Sequence, residues 1–258
     1  NRLVGNPPDA AVIEITLWGP TLRFDGEGQV AITGADLQPQ LDGAAVEMWS
    51  TITVQGGQVL AFGEPRRGCR AYLAVGGTWE VTSWLGSVSP APLEPERLTP
   101  QSVLAVGDWI RVASSPAVSP RRSPDLLLDP DLPLRLLPGP EGDEGLRKQL
   151  LRSPHTVTNQ SNRMGCRLDS RLRKAGQGGE MISSSVVPGT IQLMTGGQPV
   201  VLMADAQTMG GYPRVAHVIT ADQDRLAQFK PGDAMRFEFV TTEAARAALR
   251  DYRDRLDG

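Results

Sequence analysis

A chain of 258 residues with 40% hydrophobic and 21% charged side chains and a formal net charge of −3 has an ordinary globular composition. That charge excludes a general affinity for nucleic-acid phosphates or anionic membrane surfaces, and no apolar run approaches membrane-spanning length. Two cysteines, Cys69 and Cys166, exclude a disulfide framework and lack metal-ligand spacing, so no metal site is expected and the cytoplasm is the default location.

Glu14–Leu17 and Thr21–Phe24 read as strands split by Gly19-Pro20, and Val30–Thr33 as a third that ends in Gly34-Ala35-Asp36. Trp49–Val54 and Val59–Phe62 flank Gly56-Gly57 as a hairpin, followed by Arg70–Val75 and, after Gly107-Asp108, by Trp109–Val112. Short strands with glycine turns at this spacing predict an all-β barrel or sandwich over residues 1–113. Residues 114–133 are rich in proline and serine and read as a linker. A second β lobe is expected over 134–258, with a short helix in Gly142–Leu151 and a terminal helix in Thr242–Leu256, where Thr242 is the expected N-cap.

An internal repeat supports two related lobes. At a constant offset, Gly19–Asp36 aligns with Pro188–Asp205: Thr21/Thr190, Gly28/Gly197, Gln29/Gln198, Ala35/Ala204 and Asp36/Asp205 are identical. Each copy reads as strand, turn and strand, with an Asp at the end.

The stretch from Glu180 to Pro213 has Glu180 and Asp205 as its only charged side chains. Pro188-Gly189 and Gly196-Gly197 read as turns, Thr190–Met194 and Pro199–Ala204 as strands. The second strand delivers Asp205, Gln207 and Thr208 into Gly210-Gly211-Tyr212-Pro213, a pattern suited either to a small-molecule site or to a structural loop. Nucleophile–histidine arrangements and phosphate-binding loops are absent from the sequence, and His155 and His217 have no suitable neighbours. The polar groups that remain for chemistry are Arg163, Glu180, Ser183, Ser185, Gln192, Asp205, Gln207, Thr208 and Tyr212 with Gly210 and Gly211. An Arg can grip an anion, Gln207 can read an amide, and Asp205 or Glu180 can move a proton. The competing reading is a structural ion pair between Arg163 and one of these carboxylates.

Ser161–Leu168 (SNRMGCRL), Ser183–Leu193 (SSSVVPGTIQL), Gly196–Asp222 and Leu226–Phe237 closely resemble the biotin-dependent carboxyltransferase family, as do Leu3–Phe24, Ile32–Asp36 and Cys69–Gly77 upstream. That family includes the C component of 5-oxoprolinase, the KipI antagonist, allophanate hydrolase subunit 2 and the carboxyltransferase domain of urea carboxylase. The resemblance implies a mainly β fold of two cyclophilin-like β-barrel lobes with few short helices. It implies an enzyme subunit for ATP-dependent opening of 5-oxoproline to glutamate, an amide (lactam) hydrolase inactive alone. Its implied partners are a KipI-like protein (the B component of 5-oxoprolinase) and the A component of the same enzyme. ATP is used by the complex and no cofactor is expected on this chain alone; biotin enters under the alternative of a urea carboxylase component. A regulatory antagonist of a KipI-type kinase inhibitor is a further alternative.

Within this framework Asp205, Glu180 and Arg163 are the expected catalytic set. Ser183, Ser185, Gln192, Gln207, Thr208, Gly210, Gly211 and Tyr212 are the expected substrate contacts. Asp205, Gln207, Thr208 and the glycine turn are expected on one wall of a cleft between the lobes, with Glu180, Ser183 and Arg163 on the other. Three departures are visible. Asn162 stands where the family pattern has Asp, Leu85–Pro90 lacks the usual polar run, and the preceding Gln-Asp-Leu-Gly-Arg segment is not in the chain.

Overall fold

The computed structural model describes residues 1–89, 103–113, 115–124, 131–173 and 181–257. The chain divides into two compact units, Asn1–Leu127 and Leu128–Gly258. The fold is mainly β with short helices, and no described helix is long and apolar enough to cross a membrane.

Unit 1 begins with strands Ile13–Thr16 (β1), Leu22–Arg23 (β2), Gly28–Asp36 (β3), Gln40–Leu41 (β4) and Ala44–Ala45 (β5). It continues with Ile52–Val54 (β6), Val59–Ala61 (β7), Arg67–Val75 (β8), Thr78–Trp79 (β9) and Val112–Ala113 (β10). One sheet has the order β1-β8-β3-β6, a second β2-β7-β4-β5, and β9 pairs with β10. The long strands β3 and β8 are antiparallel, with Ile32 opposite Leu73. Their alternation sorts the core. Val30, Ile32, Ala71 and Leu73 face one cluster, while Ala31 and Ala74 meet Leu3 and Val4 on the other face.

The glycine turn at Gly56-Gly57 does not close the expected hairpin. β6 pairs with β3 and β7 with β2 and β4, so the turn carries the chain from one sheet to the other. Within the segment read as a linker, Val118–Ser123 is hydrogen-bonded to the rest of unit 1. The Gln29 carboxamide donates to Val118 O and accepts from Val118 N, both at 2.8 Å, and Thr51 exchanges backbone and hydroxyl bonds with Arg121. Prolines suppress regular structure there, but two side chains, one on β3 and one beside β6, anchor the segment.

Unit 2 contains Leu134–Pro138 (β11), His155–Thr156 (β12), Gly165–Arg167 (β13), Ser184–Ser185 (β14) and Thr190–Leu193 (β15). Pro199–Leu202 (β16), Met209–Gly210 (β17), Arg214–Val218 (β18), Ala234–Met235 (β19) and Phe237–Phe239 (β20) follow. Six strands form a sheet in the order β13-β16-β15-β18-β11-β20, antiparallel except for β11 beside β20. Helix α1 (Glu144–Arg152) lays Leu146 and Leu150 into the core and is capped by Asp143, which accepts from Leu146 N at 2.8 Å. His155 is buried but satisfied at both ring nitrogens, by Ser170 Oγ and Leu150 O.

A short helix, α2 (Gln223–Leu226), precedes the terminal helix α3 (Thr242–Asp257). The cap of α3 is Thr241 rather than Thr242: Thr241 Oγ1 accepts from Ala244 N at 3.2 Å, and Thr242 is already helical. The two copies of the internal repeat fall in different units and pair differently. In unit 2, β15 and β16 form a hairpin across Gly196-Gly197, both at positive φ; in unit 1, β2 and β3 belong to separate sheets.

Candidate functional site

β16 is buried along its whole length and flanked by β13 and β15. Its apolar sequence demands this, and Asp205 emerges just past its end. The ladder with the β13 side continues there: Met203 N donates to Met164 O, and Asp205 N to Arg163 O at 2.9 Å. That pairing puts the two side chains next to one another. Arg163 donates to the Asp205 carboxylate through Nε (2.6 Å) and Nη2 (2.9 Å), with 38% of the arginine and 19% of the aspartate side chain exposed. The expectation of Arg163 on the opposite wall is therefore corrected. The two residues form one bidentate pair, set by adjacent strands.

Asn162 serves this corner as a turn residue. Its Oδ1 accepts from Met164 N (2.9 Å) and Gly165 N (3.2 Å), the acceptor role an aspartate would fill. The departure from the family pattern thus leaves the backbone path to Arg163 intact.

A second group of expected residues assembles around a small ribbon, β14 paired with β17. Ser184 is opposite Gly210, Ser185 opposite Met209, and Val186 N donates to Thr208 O. Ser183 is corrected in the same way as Arg163: its Oγ lies within 3.5 Å of where a Gly211 Cβ would stand, so it adjoins the glycine turn rather than facing it. Gln207, Thr208 and Ser185 are exposed, as is Tyr212 at 37%. Glu180 lies outside the described residues.

Gln192 lies beneath this ribbon on β15. It is 1% exposed, and its Nε2 has no hydrogen-bond partner among the described residues. An unpaired buried amide costs about 1–3 kcal/mol. A Cβ on Gly210 would come within 2.5 Å of that nitrogen, so glycine is required for the ribbon to lie this close.

Arg214 and Glu141 were not expected. Glu141 accepts from Arg214 Nε (2.9 Å), Nη2 (2.8 Å) and backbone N (2.9 Å), while Arg214 Nη1 donates to Ser185 O at 3.2 Å. The pair raises the Arg214 pKa, chiefly through the hydrogen bond to Glu141, and it ties the ribbon to β18. Gly139 and Gly142 permit this by lying against the backbone of Arg214 and Val215, where a Cβ would come within 2.1 Å of a carbonyl oxygen. The available signal was Arg214's position as the first cation after the neutral stretch.

His217 lies opposite Thr190 on β18, its Nδ1 at 3.5 Å from Thr190 Oγ1. Burial pulls its pKa below the ordinary 6.5. The unfolded chain then binds the proton more readily, so this contribution is present above pH 6.5 and lost as pH falls through the lower folded value. Unfolding titrations at about pH 7.5 and about pH 5.5 should show a loss of stability on acidification that His217→Gln reduces. An identical pH dependence in the variant would contradict this.

A cleft of about 1630 Å³ in unit 1, lined by Arg23, Trp79, Glu80 and Trp109 among others, includes none of the expected site residues. Arg23 lies over the Trp109 ring at 5.7 Å. Among the described residues no group of side chains has metal-binding composition.

Residues 1–239 match the carboxyltransferase domain, subdomain A and B. The chain is 37% identical to the C component of 5-oxoprolinase from Escherichia coli (strain K12) over 97% of its own length and 82% of that protein. It is similar to the crystal structure of TTHA0988, with a TM-score of 0.82 and 33% identity over 92% of this chain, and it spans about half of that longer chain (48%). Likeness to the K. lactis urea amidolyase structure covers 99% of this chain and 17% of that one, with a TM-score of 0.83 and 26% identity.

Proposed function

This chain belongs to the carboxyltransferase domain family, subdomains A and B, and we propose that it works as the C component of an ATP-dependent 5-oxoprolinase. The observation that carries this reading is the likeness to the E. coli C component, which runs over most of both chains. In the reaction, water opens the lactam amide of 5-oxoproline to give glutamate, and ATP hydrolysis in the assembled enzyme drives it. The chain acts in the cytoplasm with a KipI-like B component and with the A component, and is inactive without them. Each unit is read as a cyclophilin-like barrel.

Asp205, oriented by Arg163, and Glu180 are assigned to catalysis. The ribbon residues Ser183, Ser185, Thr208, Gly210 and Gly211, with Gln192, Gln207 and Tyr212, are assigned to the substrate. Support comes from the neutral lining: a site of hydroxyls, carboxamides and glycine backbone suits an amide better than a multiply charged ligand. Arg214 acts as a positioning residue through Ser185 O.

A second reading, a component of a urea carboxylase, is favoured by the fold likeness to urea amidolyase. Under it biotin would supply the carboxyl group, and its ureido carbonyl would meet the same unpaired Gln192 amide. Lower identity places this reading second.

Growth tests the proposal. A bacterial strain lacking all three oxoprolinase components, supplied with this chain and its two partners, should use 5-oxoproline as sole nitrogen source. The same strain without this chain should not, and equal growth in both arms would end the reading.

A further inference from the structure

On β15, Ile191 and Leu193 enter the core of unit 2, so alternation sends Thr190 and Gln192 to the other face of the sheet. Gln192 is covered there by the ribbon at Gly210. A buried amide without a partner is rare in a folded protein, and the Gln192 amide, which has none among the described residues, asks for an acceptor. The cover is slight: two residue pairs, one further backbone bond and a Ser185 Oγ–Met209 Sδ contact hold β14 to β17, and Arg214 holds their edge.

We propose that Gln192 is the specificity residue for an amide ligand: the ribbon lifts at Gly210, and Nε2–H donates to the neutral carbonyl oxygen of an amide or lactam. The acceptor is neutral because the nearest cation across the ladder, Arg214, is already neutralised by Glu141. A carboxylate oxygen brought under the ribbon would be buried without a counter-charge, at far greater cost than an amide oxygen. The role of Gln192 rests on the proposed function only through the choice of 5-oxoproline as one probe.

The experiment measures binding of 5-oxoproline, 2-pyrrolidinone (the amide without the carboxylate) and proline (the carboxylate without the ring amide) to the assembled wild-type and Gln192→Leu complexes. Gln192→Leu should weaken both amides at least about tenfold, the scale of losing a buried polar contact to substrate, with unchanged or higher melting temperature. Proline should show no dependence on residue 192. Unchanged amide binding in a folded variant would overturn the proposal, as would a wild-type complex that binds neither amide. Binding of 2-pyrrolidinone without 5-oxoproline would leave Gln192 in its role while removing the 5-oxoprolinase reading. If the variant does not fold, wild-type hydrogen exchange decides: as the ribbon lifts, the paired Ser184 and Gly210 amides should lose protection when 2-pyrrolidinone is added, and no change or a gain would overturn the proposal.

Discussion

Replacing Asp222 with alanine is expected to cost about 3–5 kcal/mol of stability, the scale for removing one partner of a buried ion pair. Asp222 is fully buried at the turn before α2. Its Oδ2 accepts from Arg135 N (2.8 Å) and Nε (3.0 Å), and its Oδ1 from Arg135 Nη2 (2.6 Å). Arg225, also buried, contributes Nη2 to Oδ2 at 3.2 Å and spends its other bonds on Leu132 O and Pro133 O. Burial pulls the Arg225 pKa down, so Arg225 without Asp222 is a charge with no compensating carboxylate among these contacts. The network fastens the start of β11 to the α2 turn, and β11 is an inner strand of the six-stranded sheet. Thermal unfolding of Asp222→Ala should show a fall on the order of 10 °C. A shift within a degree or two would mean that packing alone holds this corner.

The second large effect is on catalysis. Asp205→Asn keeps the size of the side chain but removes its charge, and one oxygen facing Arg163 becomes an amide group. In the assembled complex kcat should fall at least about tenfold, the lower end of acid–base and charge contributions. The stability cost should stay within about 1 kcal/mol, because the Arg163 side chain is more than a third exposed and solvent screens the pair. Arg163→Lys keeps the charge but loses the fork, and should share much of the kinetic defect if Arg163 orients Asp205. Full activity with a large drop in melting temperature would make the pair a structural clamp and remove Asp205 from the catalytic set.

The local parts of this fold were legible because they depend on neighbouring residues. Pro188-Gly189 and Gly196-Gly197 supply the turns that the chain needs there, and Ala245, Leu249, Tyr252 and Leu256 repeat at helical spacing in the terminal helix, with Leu256 exposed. What sequence could not supply was pairing over distance. Gly56-Gly57 looks like a hairpin turn, yet sheet membership is decided by β3 and β2, more than twenty residues upstream. The proline-rich segment looks free until Gln29 and Thr51 are seen to hold it. At the site, a polar Asp after a buried strand was visible, and so was the alternative of an ion pair with Arg163. The register that joins them was not, nor was Glu141 as the partner of Arg214. Gln192 was one of the polar groups left for chemistry, but that its amide has no partner among the described residues is a fact of packing.

The most direct test of the account is turnover by the purified components. If the proposal holds, this chain mixed with a KipI-like protein and an oxoprolinase A component should release glutamate from 5-oxoproline only when ATP is present, and omission of this chain should abolish the release. Undiminished glutamate release without this chain, or ATP consumption that responds to urea and not to 5-oxoproline, would contradict it.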